Sequence, residues 1–124
     1  MKNQKTWLIL AGFMGFVGVA LGAFGAHGLR DKLSTEMLSI YKTGIFYHLI
    51  HSVAMLAVAL MNNTKFYKSA LIFFTGIIFF SFSLYLYAIT GNTTFAIVTP
   101  VGGIFFLIGW LLIIVEGIKV KKDE

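Results

Sequence analysis

Between Trp7 and Ala26 the chain runs WLILAGFMGFVGVALGAFGA, twenty residues without a charge and with five glycines. At about 1.5 Å of rise per residue such a stretch matches the ~30 Å hydrocarbon core of a bilayer, which predicts a membrane-spanning helix. On a helical projection Ala11, Gly15, Gly18, Gly22 and Gly25 fall within an arc of about 80°. That strip of small residues predicts a face for close helix packing, with Gly15, Gly18, Gly22 and Gly25 as its contact points. Phe13, Phe16 and Leu21 lie on other faces, so this first helix is expected to be the one the others lean on. A secretion signal is the competing reading of Met1–Ala26, but its apolar part is shorter, about 7–15 residues. The stretch is therefore expected to stay as an uncleaved span.

The remainder repeats the pattern. Of 124 residues, 58% are hydrophobic and 12% charged, against about 25% charged in soluble domains. That leaves room for four spans and little else, expected near 6–26, 45–61, 66–89 and 98–118, in one all-α, four-helix integral membrane bundle. His27-Gly28 and the charges Arg30, Asp31 and Lys32 break the first span. Ser34 or Thr35 then caps a helix that opens amphipathically and becomes continuously apolar from Ile45. Asn62-Asn63-Thr64-Lys65 has the composition of a tight antiparallel connection. In the third span Ser69, Gly76, Ser83 and Thr90 recur at seven-residue spacing, which predicts one inward face. Thr90 to Thr94 reads as a loop, and Thr99-Pro100 as the N-cap and first residue of the fourth helix.

Charge fixes the expected orientation. Lys2, Lys5, Lys65, Lys68, Lys119, Lys121 and Lys122 flank one side of the spans, and Arg30, Lys32 and Lys42 the other. Seven against three predicts both termini in the cytoplasm of a cell membrane of the bacterial cytoplasmic type. The net charge of +5 is thereby explained by topology, with no nucleic-acid partner implied. The expected partners are the lipid bilayer itself, a second copy, or another membrane protein. No cysteine is present, which removes disulfides, thiolate metal sites and cysteine nucleophiles.

The run Gly22-Ala23-Phe24-Gly25-Ala26-His27-Gly28-Leu29 resembles the signature of a family of small membrane proteins, domain of unknown function 423, also called uncharacterised protein family 0382. Transmembrane protein 256 is a eukaryotic relative. The likeness continues through Tyr47 and His51, Phe80 to Leu86, Thr99 to Gly103, and Gly109-Trp110. One departure is His48, where many members of the family would carry glutamine. The resemblance implies a four-helix membrane protein and no particular activity or cofactor.

With this topology His27, Tyr47, His48, His51, Ser83, Tyr85 and Thr99 are expected to gather at the extracytoplasmic end of the bundle. Three readings compete for that cluster. It is interhelical hydrogen bonding with interfacial tyrosines. Alternatively it is a site for a small ligand such as a quinone or lipid headgroup. The third reading is metal or haem ligation, with His27 and His51 as the pair able to approach a ring from opposite sides. No carboxylate stands near enough to complete a zinc site, so no metal is assigned. No catalytic residues are assigned either, since hydrolase, phosphate-loop and metalloprotease motifs are all missing from the chain. Trp7 is expected as an interfacial anchor, Trp110 as a packed indole with its N–H on a carbonyl, and Glu116 as the partner of Lys119.

Overall fold

The computed structural model describes residues 3–121; the charges at Lys2 and Lys122 lie outside them. Four helices, each long and apolar enough to cross a membrane, follow one another: α1 (Gln4–Gly28), α2 (Thr35–Met61), α3 (Thr64–Thr90) and α4 (Thr93–Ile118). Polar caps set most of their limits. Asn3 accepts from the Thr6 N–H at the start of α1, and Ser34 from the Met37 N–H at the start of α2. Asn62 closes α2 in the left-handed conformation (φ 51°) and Asn63 caps the next turn at once. This is the tight connection expected there.

The fourth helix starts earlier than Thr99-Pro100 suggested. Gly91, at φ 70°, ends α3, and Asn92 caps α4 by accepting from the Thr94 N–H at 3.0 Å. The connection shrinks to two residues and Pro100 lies inside the helix. Thr99 spends its hydroxyl on Ser83 of α3, 2.6 Å away, instead of on a cap.

The α3 helix contains a π-turn over Ile77–Ser81, in which the Phe82 N–H reaches back to the Ile77 carbonyl. Such a wide turn rotates the helix that follows. Ser69, Phe73 and Gly76 are buried before it, Ile77 and Ser81 at its two ends, and Ser83, Tyr85 and Ala88 after it. Thr90, the last of the expected seven-residue series, is exposed and bonds its own Leu86 carbonyl.

The central helices are α2 and α3, not α1. The α1 helix packs chiefly on α2, while α3 packs on both α2 and α4. Gly76 accommodates the Phe106 ring and Gly109 the Phe73 ring, each where its own Cβ would otherwise stand. At Gly102 the contact is with main chain, because a Cβ there would lie 2.6 Å from the Phe79 carbonyl carbon and from the Phe80 Cα. So α4 lies backbone to backbone on the π-turn.

Four of the five positions in the small-residue strip of α1 are used. Ala11, Gly18 and Gly25 are buried, and Gly22 comes into ordinary contact with Ile45. Gly15 is not a packing position, since nothing lies within 4 Å of where its Cβ would be. It lines an open apolar groove with Gly12 and Phe16. The strip is wider than a single neighbour can cover, and α2 alone lies along it. Trp7 is also not an interfacial anchor. It is 1% exposed, in a core with Met55, Ala59 and Phe66, its ring tilted on Tyr67 at 6.4 Å.

Candidate functional site

The expected polar cluster separates into three small networks, each tying one helix to another. In the first, His48 of α2 is completely buried. Its Nε2 is 2.8 Å from the Met14 carbonyl oxygen of α1, and its Nδ1 is 2.8 Å from the Tyr85 hydroxyl of α3. A carbonyl only accepts, so Nε2 carries the proton and donates. In the neutral ring Nδ1 then accepts from the Tyr85 O–H. One imidazole thereby joins three helices.

Access to the Met14 carbonyl depends on a glycine one turn later. A Cβ on Gly18 would meet His48 Cδ2 at 3.1 Å and Nε2 at 3.3 Å, and Leu49 at 2.7 Å. The same device recurs seven residues on. Gly25 leaves room for the Tyr41 ring, whose hydroxyl donates to the Leu21 carbonyl. In both cases a glycine four residues after a carbonyl bares that carbonyl to a side chain of α2. The seven residues from Gly18 to Gly25 match the seven from Tyr41 to His48, as antiparallel neighbours require. On α2 the Tyr85 ring is likewise seated over Gly44.

The second network is centred on His51, one turn along α2 and 3% exposed. Its Nδ1 lies 2.8 Å from the Tyr47 carbonyl of its own helix and therefore donates. The Trp110 indole N–H of α4 donates to Nε2 at 3.0 Å. Because indole is a donor only, His51 must be neutral, with its Nε2 lone pair occupied. The Phe106 ring stacks on the imidazole, with centroids 3.7 Å apart and planes 10° from parallel. In the third network the Thr99 and Ser83 hydroxyls bond to each other at 2.6 Å, and Ser83 Oγ also lies 2.8 Å from the Phe80 carbonyl of its own helix.

His27 joins none of these. It is exposed in the last turn of α1, beyond the packed part of the helix. The His27–His51 pair suggested for haem is thus not assembled. Tyr47 is 38% exposed and contributes its ring, stacked near Phe106 and tilted on Phe80. The sequence reading missed the Trp110–His51 bond, having assigned the indole N–H to a carbonyl. It also missed the two bared carbonyls, although the matched seven-residue spacings were available as a signal.

Chemically, the ring nitrogens of both buried histidines are already matched, whereas Trp7 Nε1, Ser69 Oγ and Ser81 Oγ are buried without a partner. Among the described residues no group of three or more His, Cys, Asp or Glu side chains could hold a metal ion. An open groove of about 270 Å³ runs beside the second network, lined by Tyr47, His51, Phe80, Gly103, Phe106 and Trp110.

A bundle of four membrane-length helices, sewn together by intramembrane histidines, defines a multi-pass integral membrane protein. The chain belongs to the family described as "Protein of unknown function (DUF423)", whose model matches residues 21–103. It is 41% identical over 125 residues to the UPF0382 membrane protein of Haemophilus influenzae, covering 98% of this chain and 99% of the relative. The UPF0382 inner membrane protein YgdD of Escherichia coli is 40% identical over 97% of this chain and 95% of its own. A UPF0382 membrane protein of Staphylococcus epidermidis is 37% identical over 94% of this chain and 98% of its own. No solved structure matches.

Proposed function

We propose that this chain is a non-enzymatic structural or accessory protein of the bacterial cytoplasmic membrane, acting by holding its own bundle and a membrane partner or second copy in place. The observation that carries this reading is the commitment of both buried histidines. Ionisable groups at membrane depth usually mark a pathway or a ligand, yet all four ring nitrogens here are engaged, three by backbone carbonyls or Trp110 and one by Tyr85. The inner-membrane description of the Escherichia coli relative supports the location.

Orientation is tested with a reporter active only in the cytoplasm. Inserted near Asn63, or fused after Glu124, it is expected to be active, and near Asn92 silent. Activity at Asn92 would invert the arrangement.

A second reading is favoured by the groove beside His51, whose aromatic walls and opening toward lipid suit a flat apolar ligand such as a quinone. The two readings part at His51. Glutamine can still donate and accept, so His51→Gln is expected to keep most of the stability and His51→Ala to lose about 1–3 kcal/mol, measured by thermal unfolding in detergent. Absorption spectra of the same samples complete the test. A bound chromophore lost from both variants would sink the structural reading and establish the ligand.

A further inference from the structure

At the end of the bundle opposite His27 a small polar notch of about 50 Å³ lies between the α2–α3 connection and the end of α4. Lys65 comes from the connection, and Lys119 and Lys121 from the end of α4, more than fifty residues away in sequence. Glu116 is the one carboxylate lining it among the described residues, and its Oε1 lies 3.5 Å from the Lys119 ammonium. Asn63 gives its side-chain oxygen to the Lys65 N–H, which leaves the amide nitrogen as the end able to donate. The buried Phe66 also lines the notch. On α4, exposed Val115 and Ile108, four and eleven residues before Lys119, continue its side of the helix away from the notch as an apolar surface.

We propose that this notch binds a phosphate group, and specifically the phosphodiester of an anionic phospholipid. Among the described residues three ammoniums against one carboxylate leave an excess of positive charge, and lysine engages phosphate as a mobile point charge. Basic notches between membrane helices at the headgroup level recognise anionic lipids by this chemistry. The source is lipid rather than free phosphate because the apolar face of α4 below the notch offers acyl chains a path that a soluble anion cannot use.

The test uses the full chain in detergent, titrated with phosphatidylglycerol, phosphatidylcholine or inorganic phosphate and read by native mass spectrometry. The notch variant is K65Q/K119Q/K121Q, and the charge-matched control is R30Q/K32Q/K42Q. Each lysine near an anionic surface contributes roughly fivefold in affinity, so the notch variant is expected to bind phosphatidylglycerol on the order of a hundredfold more weakly. The control should bind as the parent does. Phosphatidylcholine is expected to bind weakly to all three proteins, and inorganic phosphate should fail to displace phosphatidylglycerol at equal concentration. Equal weakening in notch variant and control, or no preference for phosphatidylglycerol over phosphatidylcholine, would overturn the proposal. Inorganic phosphate binding as tightly as the lipid would overturn the lipid source. The exposed lysines carry no packing, and thermal unfolding of each variant verifies that the fold is retained.

Discussion

Gly102→Ala is expected to destabilise the protein by about 2 kcal/mol, while Gly103→Ala, its immediate neighbour, should be neutral or slightly stabilising. The added carbon at Gly102 would sit 2.6 Å from main-chain atoms of Phe79 and Phe80, and backbone cannot swing aside as a side chain can. Relief requires either separating α4 from α3 or undoing the π-turn, and overpacking of this kind costs 1–3 kcal/mol or more. Alanine regains about 1 kcal/mol of helix propensity at either site, which at Gly102 offsets part of the loss. At Gly103 the nearest atoms are ring carbons of Phe80 at 3.8 and 3.9 Å, an ordinary contact, so the propensity gain stands alone. Unfolding in mixed detergent, together with the amount of protein recovered from membranes, measures both. Equal behaviour at the two glycines would mean that α4 does not rest on the π-turn.

The contrast between these neighbours also marks where the sequence stops being legible. Four apolar segments, their polar breaks, the Ser34 cap and the Asn62-Asn63 connection are local signals, and each corresponds to a feature of the fold. The π-turn has no such signal. Phe79, Phe80 and their neighbours read as ordinary helix, and the wide turn exists where α4 lies on it through Gly102. Pro100 misled for the same reason. A proline after threonine is a good helix start locally, but Asn92 caps one turn and more earlier and Ser83 of α3 takes up the Thr99 hydroxyl.

The polar residues were legible as types and not as pairs. Intramembrane histidine, tyrosine and serine must find partners in an apolar medium, so that His48, His51, Ser83, Tyr85 and Thr99 would be bonded was readable from composition. Which of them would meet was not. His27 lies beyond the packed region, and Trp110 reaches His51 because α2 and α4 both pack on α3. The glycine strip of α1 misled by its regularity. Periodicity marks a face, whereas contact depends on how much of that face one neighbour covers, and Gly15 lies outside the cover.

His48→Ala is expected to be the most damaging change to a polar side chain in the protein, at about 2–4 kcal/mol. The variant leaves the Tyr85 hydroxyl without its acceptor in a dry environment, a cost of about 1–3 kcal/mol, and opens a cavity at a completely buried site. The Met14 carbonyl is less exposed to loss, because it keeps the ordinary helical bond from Gly18. His48→Gln should recover most of the stability. A carboxamide presents one N–H to the Met14 carbonyl and one oxygen to the Tyr85 hydroxyl, the same donor and acceptor that the imidazole supplies. Tyr85→Phe closes the argument as a double-mutant cycle. Once the phenol is gone, His48→Ala should cost less than it does in the parent, by the coupling energy of the pair, on the order of 1 kcal/mol. Thermal or detergent unfolding of the four proteins gives that number. Strict additivity would show that His48 and Tyr85 are neighbours without a working hydrogen bond, and that α2 is not tied to α3 through this ring.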